Sequence, residues 1–212
     1  MTEEELFPAE ALERKLNFYR TYEPNFKIFD MRKIETEGPV RNLFFGDSIT
    51  WGFPLQHFFP NISILNKGIP GDSIWGMYTR LDEDVFRYSP RRVFTMAGIN
   101  GIAEDENWIV EAFKFLCLKI RARGIEVVHC SMTPLREPDK WDRFQFMDKI
   151  QRINSAMKNF ALAELDGFVD YYSATVDETG QLGQDCAAPD GTHITIPGYI
   201  RMAKVLRPYL LD

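Results

Sequence analysis

The sequence predicts a three-layer α/β domain built on a parallel sheet, and two observations carry that expectation. Short apolar runs alternate along the chain with longer amphipathic stretches, and 212 residues with 45% hydrophobic content are enough for one domain with a sizeable core. The candidate strands are residues 43–45, 62–65, 93–97, 126–131 and 167–170, each short and mostly apolar, as strands covered on both faces should be. Helical stretches are expected near 50–59, 73–87, 105–123 and 142–165, with a last one over 196–210. In residues 108–123, Ile109, Ala112, Phe113, Leu116 and Ile120 recur at helical spacing, and Gly124 supplies the stop. Strand, helix and strand in repetition imply right-handed crossovers and a parallel sheet.

Ahead of the first strand, residues 7–20 form a candidate helix through Leu12, Leu16, Phe18 and Tyr19, and 21–40 read as an extended approach containing Pro24 and Gly38-Pro39. Residues 1–40 are therefore expected to be a strap packed on a domain formed by 41–212. The charged, proline-containing stretch 133–143 reads as a loop on the carboxyl side of a strand, where open α/β folds place their ligands.

Charge and composition narrow the function. A net charge of −6 without a basic run disfavours nucleic acid and anionic membrane surfaces as partners. The acidic start MTEEELFPAEALERK lacks the pattern of a secretory signal, and no apolar run approaches the ~20 residues of a membrane span. The expected location is the cytoplasm. Cys117, Cys130 and Cys186 have neither disulfide-framework nor zinc-site spacing, and His57, His129 and His193 are dispersed, so neither a metal nor another cofactor is expected.

Two copies of GDSI remain. Ser48 directly follows the apolar run Leu43-Phe44-Phe45, at a strand-to-helix junction where a serine meets free backbone N–H groups. Asp47 can accept backbone hydrogen bonds there; a helix cap is the competing reading of the tetrapeptide. In the second copy Gly71 lies several residues past its strand. Its N–H can approach a reacting centre unhindered, and Asp72 or Ser73 would cap the next helix. Asn100, in Gly98-Ile99-Asn100-Gly101, is either an oxyanion donor or a turn residue. Asp190 and His193 have the spacing that lets a carboxylate hold imidazole Nδ1 and leave Nε2 as a base.

Gly46-Asp47-Ser48-Ile49, Gly71, Gly98-Ile99-Asn100 and Asp190-Gly191-Thr192-His193 occur in the order of the four signature blocks of the SGNH, or GDSL-type, hydrolases. From Leu43 to the last helix the chain resembles that family. The resemblance implies a flavodoxin-like sheet of five parallel strands and a carboxylic ester hydrolase. It makes Ser48 the nucleophile, His193 the general base and Asp190 its orienting partner, with Ser48, Gly71 and Asn100 forming the oxyanion hole. Gly101 stands where the family usually has Asp, which leaves the hydrogen bonding of that loop open.

Asp47, Trp51, Phe53 and Trp75, with Met77, flank the blocks and are candidates for the substrate pocket; burial in the core is the competing reading. The expected reaction is hydrolysis of short-chain acyl esters, acetyl esters included, of a small molecule or carbohydrate. An acyltransferase, a non-catalytic binding module and a Cys186 nucleophile are the alternatives. The residues do not select an oligomeric state.

Overall fold

The computed structural model describes residues 1–26 and 39–211. Five strands, β1 (Asn42–Gly46), β2 (Ile64–Gly68), β3 (Arg92–Met96), β4 (Glu126–Cys130) and β5 (Gly167–Val169), form one sheet in the order β2-β1-β3-β4-β5. Every pairing is parallel. This is the order of flavodoxin-like sheets, whose switch point lies where β1 is flanked by β2 and β3.

Alternation along the strands makes the three layers. Leu43 and Phe45 of β1 join Leu65, Val93 and Val127 in one core, while Phe44 joins Ile64, Phe94, Met96 and Val128 in a second core on the opposite face. The first core is closed by α1 (Glu3–Leu6) and by helices from the chain's middle: α5 (Ile74–Thr79), α6 (Leu81–Asp84), α7 (Glu106–Arg121) and α8 (Met147–Glu164). The second is closed by α4 (Leu55–Phe58), α9 (Tyr171–Thr175) and α10 (Ile196–Leu206). Asp105 caps α7 by accepting the Trp108 N–H at 2.9 Å, and Gly124, at φ 76°, turns the chain into β4.

Several boundaries depart from the sequence expectation for identifiable reasons. The helix expected over 50–59 is two single turns, α3 (Ser48–Trp51) and α4, interrupted where Pro54 cannot continue the first. Strand β2 runs on to Gly68, because Asn66 and Lys67 find polar partners within the fold. The last helix ends at Leu206 and continues as a 3-10 turn over Arg207–Tyr209, which contains Pro208.

At the amino end, α2 (Ala9–Phe26) extends through residues expected to be extended. The side chains of Phe18 and Tyr19 and the remaining approach over 27–38 lie outside the described residues. Leu6 and Phe7 are buried in the first core, with Phe7 stacked on Tyr78 and the Trp108 indole N–H donating to the Leu6 carbonyl at 2.9 Å. Among the described residues no helix is long and apolar enough to cross a membrane.

Candidate active site

The site is assembled at the carboxyl edge of the sheet. Gly46 ends β1, and a side chain there would collide with the Met96 carbonyl and Thr50. The chain then turns into α3, whose cap is Asp47: its carboxylate accepts the Ile49 N–H at 3.0 Å. Ser48 follows as the first residue of that turn, 9% exposed. The turn is packed onto the end of β2, where a Cβ on Gly68 would strike the Trp51 backbone. From α10, the Tyr199 hydroxyl donates to the Ile49 carbonyl at 2.9 Å and holds the turn.

The loop after β5 and α9 brings the candidate base, His193. His193 Nε2 lies 2.9 Å from Ser48 Oγ, and His193 Nδ1 lies 2.7 Å from Asp190 Oδ2. With Nδ1–H donating to the carboxylate, Nε2 is left to accept the serine hydroxyl. The second oxygen, Asp190 Oδ1, accepts the backbone N–H groups of Thr192 at 3.0 Å and His193 at 2.9 Å. Burial alone would raise the Asp190 carboxyl, but the hydrogen bonds from His193 and Thr192 outweigh it and hold its pKa below the ordinary value. It therefore stays a carboxylate beside the imidazole.

The 133–143 loop fixes the base loop. Arg136 N–H donates to the Gly191 carbonyl at 2.8 Å, Lys140 N–H to the Asp190 carbonyl at 3.0 Å, and the Thr192 hydroxyl to Asp139 at 2.7 Å. Gly191, at φ 76°, permits that close approach, since a Cβ would overlap the Arg136 carbonyl. Trp141 stands edge-on to the His193 ring at 5.4 Å, and the Arg143 guanidinium lies over Trp141 at 4.9 Å.

The candidate oxyanion donors Gly71 and Asn100 follow the carboxyl ends of β2 and β3. Among the described residues neither the Ser48 N–H nor the Gly71 N–H donates a hydrogen bond. Gly71 sits at φ 73° between β2 and α5. The Asn100 side-chain amide gives one hydrogen to the Asp72 carbonyl at 2.8 Å, which leaves the second for a ligand. The Asn100 turn closes without the family's usual carboxylate: Gly101 N–H donates to the Gly98 carbonyl and Glu104 N–H to the Gly101 carbonyl, each at 3.0 Å.

Behind Gly71 lies a buried ionic cluster that the sequence reading missed. Arg80 Nε and Nη2 contact Asp72 Oδ2 at 2.8 and 2.7 Å, and Nη1 reaches Asp84 Oδ2 at 3.1 Å. The same guanidinium donates to the Lys67 and Gly46 carbonyls, each at 2.9 Å, and lies over the Phe45 ring. Arg80 thus ties the ends of β1 and β2 to the Gly71 loop. Arginine suits this position because one rigid fork satisfies several acceptors together. The available signal was Lys67, a charge at a core-facing strand position, with Asp84 beside apolar Leu81 and Val85.

The pocket candidates divide. Trp75 lines a cavity of about 550 Å³ that also touches Gly71, Ser73 and Asn100, and its ring stacks on Trp108 at 4.3 Å. Phe53 is corrected to core: it is 3% exposed and stacks on Tyr199 at 4.9 Å. Met77 is likewise fully buried. Asp47, 1% exposed, is a cap turned into the protein and not a pocket wall. Trp51 is half exposed on the outer surface beside Gly52 and does not line that cavity. Ser73 occupies the cap position of α5 without a side-chain capping bond; Asp72 instead accepts the Ser73 N–H at 2.8 Å.

All three cysteines are buried, and burial pushes the Cys117 and Cys130 thiols up to about 12. The Cys186 thiol is also raised by burial and lies against Asp185 and Arg201, not against the imidazole. No group of side chains suited to a metal ion occurs among the described residues.

Residues 44–201 match the family model described as the GDSL-like Lipase/Acylhydrolase family. The chain belongs to this family. This GDSL-family chain is accordingly a carboxylic ester hydrolase. Among solved structures, it is similar to a Streptococcus pneumonia protein provisionally linked by its description to platelet activating factor. That match has 26% identity and a TM-score of 0.78, covering 96% of this chain and 99% of that one. A GDSL-like lipase from Bacteroides thetaiotaomicron matches at 27% identity and TM-score 0.74, over 87% of this chain and 96% of that one. An acetyl-xylooligosaccharide esterase from Geobacillus Stearmophilus shares the fold at 21% identity and TM-score 0.65, over 82% of this chain and 95% of that one. No curated protein matches the chain.

Proposed function

We propose that this hydrolase cleaves short-chain acyl esters of a small molecule or carbohydrate through an acyl-enzyme on Ser48. The observation that carries the reading is the hydrogen-bonded relay Ser48 Oγ to His193 Nε2 at 2.9 Å and His193 Nδ1 to Asp190 at 2.7 Å. In the first step His193 Nε2 takes the hydroxyl proton as Ser48 Oγ bonds to the ester carbonyl carbon. The oxyanion is received by the N–H groups of Ser48 and Gly71 and by Asn100 Nδ2. Collapse breaks the bond to the alcohol oxygen, which leaves with the proton from His193. Water, deprotonated by the same nitrogen, then attacks the acyl-serine, and the second tetrahedral species releases the carboxylic acid and restores Ser48. Asp190 keeps the imidazole in the required tautomer and stabilises it while charged.

A carbohydrate ester is the substrate class to test first: the Geobacillus fold neighbour is described as acting on acetylated xylooligosaccharides, and Trp141 offers an exposed ring beside the base. The test is a series of p-nitrophenyl esters of increasing acyl length, together with acetylated xylooligosaccharides, run on the wild type and on Ser48→Ala. Turnover that disappears in the variant, with covalent labelling of Ser48 by an organophosphonate, is the expected result. Undiminished hydrolysis by Ser48→Ala would remove the mechanism.

A further inference from the structure

We infer that helix α2, which precedes the stretch matched to the family, is part of the catalytic site: Lys15 holds the Gly71 loop, and Ala11 and Arg14 wall the cleft that receives the acyl group. The inference rests on the reading of Gly71 and Asn100 as oxyanion donors.

The first observation is a direct contact. Lys15 Nζ donates to the Gly71 carbonyl at 2.9 Å and lies 3.6 Å from Asp72 Oδ1, with its side chain 11% exposed. A lysine this far from water is costly unless its ammonium is satisfied, and the Gly71 carbonyl and Asp72 carboxylate satisfy it. Gly71, at φ 73°, is a glycine with wide backbone freedom, so its peptide planes need outside restraint if its N–H is to keep one direction. Lys15 supplies that restraint on one side and Arg80, through Asp72, on the other. Asn100 is anchored on the Asp72 carbonyl, so both donors depend on one short segment, Gly71-Asp72. Lys15 is a positioning residue by this account, acting through that segment.

The second observation is the cavity of about 550 Å³. It is lined by Gly71, Asn100 and Trp75 together with Ala11, Arg14 and Lys15 of α2. Ser48, His193, Asp190 and Trp141 do not line it, so it meets the site through Gly71 and Asn100. The leaving alcohol must sit beside His193 Nε2 to be protonated, so the space on the donor side belongs to the acyl substituent. Its volume exceeds the needs of an acetyl group. The α2 wall is held in place by Leu6 and Phe7, buried against Trp108 and Tyr78, so α2 is fixed to the layer that also carries Trp75.

Three variants test this: Lys15→Met, Lys15→Arg and Arg14→Trp, assayed for kcat and KM on p-nitrophenyl acetate and hexanoate, with thermal melts followed by circular dichroism. Because a displaced oxyanion donor loses transition-state stabilisation more than ground-state binding, Lys15→Met should lower kcat ~10-fold or more on both esters while KM moves less than ~3-fold. Lys15→Arg should recover most of that loss. Arg14 is exposed, so Arg14→Trp should fold normally; by filling the cleft it should reduce kcat/KM for hexanoate relative to acetate about 5-fold or more.

A folded Lys15→Met with wild-type kcat, or an unchanged acyl-length profile in Arg14→Trp, overturns the inference. Should Lys15→Met fail to fold, the Arg14→Trp profile decides alone. The two readings fail separately: activity retained in Ser48→Ala removes the mechanism, whereas an inactive Ser48→Ala beside unaltered α2 variants removes only the role of α2.

Discussion

Replacing Asp47 by Asn should make the protein more stable, and increasingly so as pH rises. The carboxyl is 1% exposed and accepts a hydrogen bond from the Ile49 N–H at 3.0 Å. Burial pushes its pKa from 3.8 to about 7; the Ile49 N–H, His193 and Arg143 work against that shift and Asp72 adds to it. In the unfolded chain the group titrates near its ordinary value, so between about pH 4 and pH 7 the native state binds more protons at this position. Stability from this residue is therefore greatest below the unfolded value and is lost as pH rises through the folded one. At ~1.4 kcal/mol for each pH unit, the interval amounts to roughly 4 kcal/mol. Asn keeps an oxygen for the Ile49 N–H and carries no charge. Urea unfolding of both proteins from pH 4.5 to 8.5 should show a stability difference that grows with pH and levels off above about 7. A difference flat across that range would refute the reasoning, because all other titrating groups are common to the two proteins.

Loss of the Asn100 amide in Asn100→Ala should lower kcat by about 10²–10³ with the fold intact, as measured by ester turnover beside far-UV circular dichroism. In Arg80→Met, Asp72 and Asp84 lose a buried guanidinium, and urea unfolding should report ~3–5 kcal/mol of lost stability; a loss under ~1 kcal/mol would mean the cluster matters little. Ser73→Ala, by contrast, should change stability by no more than ~0.5 kcal/mol in the same assay, since the Ser73 hydroxyl makes no capping bond.

The strands and the Asp190–His193 pair were legible because their signals are local, whereas Ser48 was joined to them through the order of the four family blocks. A strand buried on both faces must be a short apolar run, as Leu43-Phe44-Phe45 is, and the Asp190–His193 contact is made within four residues of chain. What escaped was whatever depends on a distant partner. The expected second strand stopped at residue 65, short of Lys67, because a lysine inside β2 is tolerated only with Tyr88 and Asp84 beside it. Phe53 looked like a pocket wall because nothing nearby announces Tyr199. Asp47 was correctly read as an acceptor of backbone hydrogen bonds, but the same bond turns it away from the ligand side. The break between α3 and α4 was readable from Pro54, and the helical spacing on either side obscured it. Lys15 gave no signal, since its acceptor is a backbone carbonyl 56 residues away.

Ser48 and His193 meet across 145 positions, and the Asn42 side chain, which brackets the Leu211 backbone at 2.8 and 3.0 Å, closes the chain across 169. Ser48 and His193 therefore belong to opposite ends of the folding problem. A form with β1 to β3 assembled but the Asp190–His193 loop undocked would present Ser48 as an ordinary alcohol, inert towards esters. Hydrolytic power arrives only with the completed topology, so ester turnover reports the docking of the Asp190–His193 loop and not the assembly of β1 to β3 alone.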